Sequence, residues 1–305
     1  MKKLQSVFLV IFYLVFFYCS FNILLIRRNN YVEQQKIVNL QQELTSKSEN
    51  TNIEIPLPTI SPFTQFANSD ISSNDSEAIE ETQPKILAKY EELYSQNTDL
   101  YGWISIEGTA IDYPVMQTVD EQNYYLRKNW NREYYLYGLS FVDAQVASSS
   151  NSIIIYGHNM RDSSMFGDLE KYKDQNFYEK YKYIKFDTLY EESTYEIISV
   201  VKTIAYYTLD EIQNADYYFY SHIALDSEEE FNEFATKIKE NSYFDTSVTA
   251  EYGDKLLTLS TYDYWVDDAR LLIIAKKLQW KKVIIGTPFY FCISPTINFP
   301  LQKSW

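Results

Sequence analysis

The chain has 305 residues, of which 46% are hydrophobic and 17% aromatic, and carries a formal net charge of −15. That charge speaks against a nucleic-acid partner, because no basic field is present to attract phosphate. Twenty-nine tyrosines beside only 7 glycines describe a strand-rich chain with one sizeable core, not a disordered one.

In chain order, Lys2 and Lys3 precede Leu4–Ile26, an apolar stretch of membrane-spanning length, and Arg27 and Arg28 follow it. The flanking charges nearly balance and do not orient the segment by themselves. No small-residue cleavage site follows, a pattern that favours an uncleaved signal anchor. Tyr31–Lys47 has sparse apolar residues at helical spacing and reads as a juxtamembrane helix or stalk. Ser48–Gln83, rich in Ser, Thr, Asn, Pro and acidic residues, reads as a linker that buries no core. The expected organisation is an anchor over residues 1–28, stalk and linker over 29–83, a folded domain over 84–280 and an extension of unassigned role over 281–305.

Pro84 suits a helix start, and Lys85–Gln96 places Ile86, Leu87, Tyr90 and Leu93 on one helical face. Strands are predicted over Trp103–Ile106, Ile111–Gln117, Gly138–Val142 and Ser152–Tyr156, with Pro114 marking an edge or a bend. Ser163–Tyr172 and Gln175–Lys180 form a short helical or irregular passage. Tyr183–Phe186 and Tyr195–Tyr207 return to the β pattern. Ser227–Asn241 opens on acidic residues and closes with lysines, a helix by dipole and propensity. Leu256–Thr261 and Leu271–Ala275 are β-branched, apolar runs joined by a polar, aromatic loop, the pattern of two buried strands. Many strands with few helices predict a closed β-barrel. Val283–Ile293 is apolar but too short to span a bilayer, and Gly286 and Pro288 break it. Packing on the barrel, binding a partner and a sequence artefact are all open for it.

Cys19 lies in the apolar N-terminal stretch and Cys292 in the extension, so an intrachain disulfide is not expected. No Cys/His cluster has metal-ligand spacing, and no metal or cofactor is expected.

The chemistry-bearing residues stand at strand ends. Ser152–Tyr156 leads into Gly157, His158 and Asn159; Leu256–Thr261 delivers Ser260, Thr261 and Tyr262; and the last strand opens on Arg270. Ile153–Met160 (IIIYGHNM), Ser164–Leu169 (SMFGDL), Leu257–Thr261 (LTLST) and Asp267–Ala275 (DDARLLIIA), preceded by Asn97–Gln117, carry a resemblance. Over roughly Lys85–Leu278 the chain resembles the sortases, membrane-anchored cysteine transpeptidases of Gram-positive cell surfaces, and class B in particular.

The resemblance implies an eight-stranded β-barrel with flanking helices, held outside the cell by a single-pass anchor. Ser227–Asn241 corresponds to the helix that class B places before the nucleophile strand. The implied partners are secreted proteins bearing a C-terminal sorting signal, and an amine acceptor on peptidoglycan or a pilin. In the implied reaction a thiolate attacks the signal peptide's carbonyl and an amine resolves the thioester. His158 would serve as acid and base, and Arg270 would stabilise the substrate or oxyanion.

One position departs from the pattern. Directly after LTLST, where the family carries its nucleophilic cysteine, this chain has Tyr262. A tyrosine phenol ionises near pH 10 against about 8.5 for a cysteine thiol, and its ring crowds the place of the peptide bond. Strand alternation puts Ser260 on the face of Tyr262 and Thr261 on the other, but Ser260 stands about 7 Å away along the strand. Cys292 would reach the groove only if the extension folded back. Asp263 is a candidate for tuning the pocket, Arg270 has surface pairing with Asp267 or Asp268 as its bland alternative, and His222 reads as structural. The sequence therefore describes a sortase-like protein inactive in transpeptidation. It leaves open a pseudoenzyme groove that binds sorting signals or a partner sortase without cleaving, a non-catalytic β-barrel adhesion module, and a strain-level or sequencing change from Cys at 262.

Overall fold

The computed structural model describes residues 2–50, 85–147, 150–206, 208–215, 217–221 and 225–278. The expectations for Ser48–Gln83 beyond residue 50, for Pro84, for His222, and for the extension with Cys292 lie outside the described residues. The chain divides into two compact units, Met1–Thr98 and Asp99–Trp305.

In the first unit, helix α1 (Lys2–Asn50) runs unbroken through the apolar stretch and the stalk. It is long and apolar enough to cross a membrane, with a mean hydropathy of 2.4 in its most apolar window, which fits a single-pass anchor and equally a signal sequence. Helix α2 (Glu91–Gln96) is shorter than the predicted Lys85–Gln96, because residues up to Tyr90 form a turn in which the Tyr90 N–H donates to the Leu87 carbonyl. No side chain caps its start, so nothing extends the helix backwards. Lys47 and Glu92 pair between α1 and α2.

The second unit is a closed barrel of eight strands: β1 (Leu100–Ile106), β2 (Asp112–Met116), β3 (Ser140–Val142), β4 (Ser152–Tyr156), β5 (Tyr183–Thr188), β6 (Thr194–Ile204), β7 (Leu256–Tyr262) and β8 (Ala269–Lys277). Their order around the barrel is β1-β2-β3-β4-β7-β8-β6-β5. The sheet is mixed: β2/β3 and β4/β7 run parallel and the remaining neighbours antiparallel. Pro114 sits opposite Trp103 of β1, and pairing with β3 begins only at Val115. Its missing N–H therefore falls where β2 has no partner on that side.

Helix α5 (Glu228–Glu240) explains why the last two strands read as unbroken apolar runs. It follows Ser227, whose hydroxyl accepts from the Glu230 N–H, and opens on three glutamates that complement the helix dipole. Phe231, Phe234 and Ile238 bury one face against Ile198, Val201, Leu256, Leu272 and Ile274 on the outside of the barrel. Each such burial is worth roughly 1.5–3 kcal/mol. Alternation then turns Leu257, Leu259, Leu271 and Ile273, all fully buried, to the inside. Strands covered on both faces lose the polar alternation of a one-sided sheet.

Two short helices, α3 (Gln175–Lys180) and α4 (Leu209–Asn214), flank the barrel. The passage leading to α3 is a 3-10 helix over Gly167–Lys173.

Candidate active site

The barrel order sets β7 between β4 and β8, so three strand ends meet. In the parallel β4/β7 ladder Tyr156 faces Ser260, and the Gly157 N–H extends it by donating to the Ser260 carbonyl at 3.1 Å. The Thr261 hydroxyl donates to the Gly157 carbonyl at 2.7 Å. In the antiparallel β7/β8 ladder Tyr262 stands directly opposite Arg270. His158 and Arg270 thus flank position 262 from its two neighbouring strands.

The side chains meet as the backbone dictates. The Arg270 guanidinium carbon lies 4.0 Å from the centre of the Tyr262 ring, within cation–π range. The His158 ring lies within 8° of parallel to that of Tyr262, with centroids 6.1 Å apart. Arg270 is 8% exposed while Tyr262 is 40% exposed, so the cation is buried beneath a half-open aromatic cover.

His158 Nε2 stands 2.9 Å from the Leu126 carbonyl. A carbonyl only accepts, so Nε2 carries the hydrogen and the neutral ring keeps its lone pair on Nδ1. Burial lowers the pKa of His158 and the Arg127 charge adds to this, against the opposing pull of the Leu126 carbonyl. The uncharged imidazole is therefore the resting form at neutral pH, and the site holds a base and a fixed cation on either side of residue 262.

These residues open onto a cavity of about 380 Å³. Its lining contains Tyr156, whose hydroxyl donates to Asp143 Oδ2 at 2.8 Å, and Tyr220, whose hydroxyl shares a 2.9 Å hydrogen bond with Ser260 Oγ. Burial and the Asp143 carboxylate raise the pKa of Tyr156, which keeps it a donor. Among the described residues no cluster of three or more His, Cys, Asp or Glu side chains could hold a metal ion.

The structure thus brings together His158, Tyr262 and Arg270. Ser260 is 2% exposed and engaged with Tyr220. Asp263 is buried and pairs with Lys173 at 2.9 Å, and Asp267 and Asp268 are exposed in the β7–β8 loop. Sequence reasoning missed Asp143, Tyr220 and the Leu126 carbonyl; nothing in their local patterns marks them, since each reaches the cavity from a loop or short turn.

A family model described as a sortase domain matches residues 104–278. The chain belongs to the sortase family. It is 30% identical over 201 residues to sortase B of Staphylococcus aureus, covering 65% of this chain and 78% of that one. To sortase B of Listeria monocytogenes it is 32% identical over 193 residues, covering 62% of this chain and 74% of that one. A solved structure of a mutant form of Clostridium perfringens sortase B aligns with a TM-score of 0.55 at 30% identity, covering 63% and 87% of the two chains. These relatives place this sortase in class B.

Proposed function

We propose that this class B sortase is a membrane-anchored surface protein whose cavity receives a sorting-signal peptide, and that Tyr262 disarms it for transpeptidation. The observation that carries the reading is the place of Tyr262: the last residue of β7, between the His158 base and the Arg270 cation. A cysteine there would have both groups a thioester route needs, a proton acceptor and a guanidinium for the developing oxyanion. His158 is the acid/base and Arg270 the oxyanion or substrate stabiliser of that inherited machinery. The phenol ring instead occupies the approach to the carbonyl and engages the guanidinium itself. The domain stands outside the membrane on the α1 anchor, its partners are secreted proteins bearing a sorting signal, and the acceptor of the ancestral reaction is an amine of peptidoglycan or a pilin.

The open cavity favours a second reading on top of the first. With Tyr156, Tyr220 and Asp143 in its lining, the groove has polar and aromatic contacts without a nucleophile, so it binds a sorting signal or a partner sortase without cleavage.

The test is peptide cleavage by the full chain in detergent, beside its Tyr262→Cys variant, with a panel of sorting-signal peptides and an amine acceptor. Mass spectrometry watches for an acyl-enzyme. An adduct on the Cys variant alone is the expected result. Turnover by the natural chain would overturn the inactivity, and silence from both would overturn the sorting-signal reading.

A further inference from the structure

Behind residue 262 lies a closed ring of polar contacts. The Asn159 amide donates to the Tyr262 carbonyl and to Glu170 Oε1, both at 2.8 Å. Lys173 Nζ stands 2.6 Å from Glu170 Oε2 and 2.9 Å from the Asp263 carboxylate. Asp263 Oδ1 accepts the Tyr264 N–H at 2.7 Å, and the Tyr264 hydroxyl donates back to the Asn159 carbonyl at 2.8 Å. Asn159 and Asp263 are only 7% and 6% exposed.

Two features set this ring apart from a surface ion pair. Lys173 and Glu170 stay partly exposed, at 27% and 35%, but close on the Asp263 carboxylate, which is only 4% exposed. Its members also immediately follow the site residues: Asn159 comes after His158, and Asp263 and Tyr264 after Tyr262. The ring grips the carbonyl of residue 262, the side chain of 263 and the amide of 264, and ties all three to the exit of β4.

We propose that Asn159, Glu170, Lys173 and Asp263 form a positioning frame that sets how the side chain at position 262 is presented to His158 and Arg270, with Lys173 as the cation that closes it. Arg270 is fixed by strand pairing with residue 262; on the other side the β4/β7 pairs end at Tyr156 and Ser260, two residues short of His158, and the frame takes over there. The inference deepens the proposed function and rests on that reading of the site, but its test requires no peptide.

The reporter is the full chain carrying Tyr262→Cys in detergent, alkylated with iodoacetamide across a pH series and read by peptide mass at position 262 alone. A thiolate beside a guanidinium ionises at lower pH than a free thiol. Adding Lys173→Met should move the midpoint of the profile upward and change its plateau rate by about threefold or more. Lys173→Arg, which keeps a cation between the two carboxylates, should restore both. Asp263→Asn, which removes the ion pair and keeps the side chain's shape, should act as Lys173→Met does. If Lys173→Met lowers the melting temperature yet leaves midpoint and plateau unchanged, or if Lys173→Arg fails to rescue, Lys173 is merely structural and the proposal falls. Failure of Tyr262→Cys to form an acyl adduct would sink the proposed function and leave this comparison standing.

Discussion

Gly157 is where the path to His158 has no room for a side chain. Its backbone is not in the left-handed region, so the requirement is purely steric. A Cβ there would lie 2.5 Å from Cδ2 and 2.6 Å from Cγ of Phe166. Carbon atoms rest about 3.5–4 Å apart, so ring or strand must give by about 1 Å. Phe166 is fully buried, so its ring has little room to turn away, and its backbone N–H donates to the His158 carbonyl at 2.9 Å, so a backbone shift would reach the site. Overpacking of this kind costs about 1–3 kcal/mol, or about 2–4 °C of melting temperature per kcal/mol for a domain of this size. Thermal unfolding of Gly157→Ala, Phe166→Leu and the double variant measures it. The double variant should lose less than the two single losses added together, because the smaller side chain makes room for the methyl. If Gly157→Ala melts with the natural chain, or the two losses simply add, the steric account of this glycine is wrong.

Two further outcomes follow from other parts of the barrel. Burial, helped by Arg127, holds the pKa of His158 below its ordinary 6.5, so the unfolded chain takes up this proton first as pH falls. The contribution to stability is complete above pH 6.5 and is lost as pH drops through the window below it. His158→Gln should therefore flatten the fall in melting temperature from neutral pH to about pH 5, and an unchanged slope would contradict a buried, neutral imidazole. Ser227→Ala removes the acceptor for the Glu230 N–H and should cost about 1 kcal/mol in chemical unfolding; no loss would mean that α5 is held by its apolar face alone.

Much of the barrel was legible because its inner strands are apolar on both faces. Ser152–Tyr156 matches β4 residue for residue, and Leu256–Thr261 falls one residue short of β7. Helix α5 was equally plain, from Ser227 and its glutamates. Gly138–Val142 was too long because Gly138 is a turn residue with a φ of 59°, leaving only Ser140–Val142 as strand. Helix α4 was overlooked although Thr208 and Glu211 form a reciprocal capping box at its start, a pattern visible in the sequence. At the site, His158, Tyr262 and Arg270 could be named from their strand ends and the family motifs. Lys173 could not: its partner Asp263 is 90 residues away, and a lysine in a Lys-Tyr-Lys run looks like solvated surface.

The parallel pairing of β4 with β7 has a consequence for how this protein comes into being. The contact that seats Thr261 on Gly157 spans 104 residues, so the His158 side of the site waits for most of the domain to be made. Until then Ile153–Ile155 is an apolar strand paired on one edge only, with β3, and closing so long a loop is slow. The domain therefore passes through a stage in which β4 is competent to pair with other chains. Assembly of the site and escape from aggregation are then a single event, the arrival of β7.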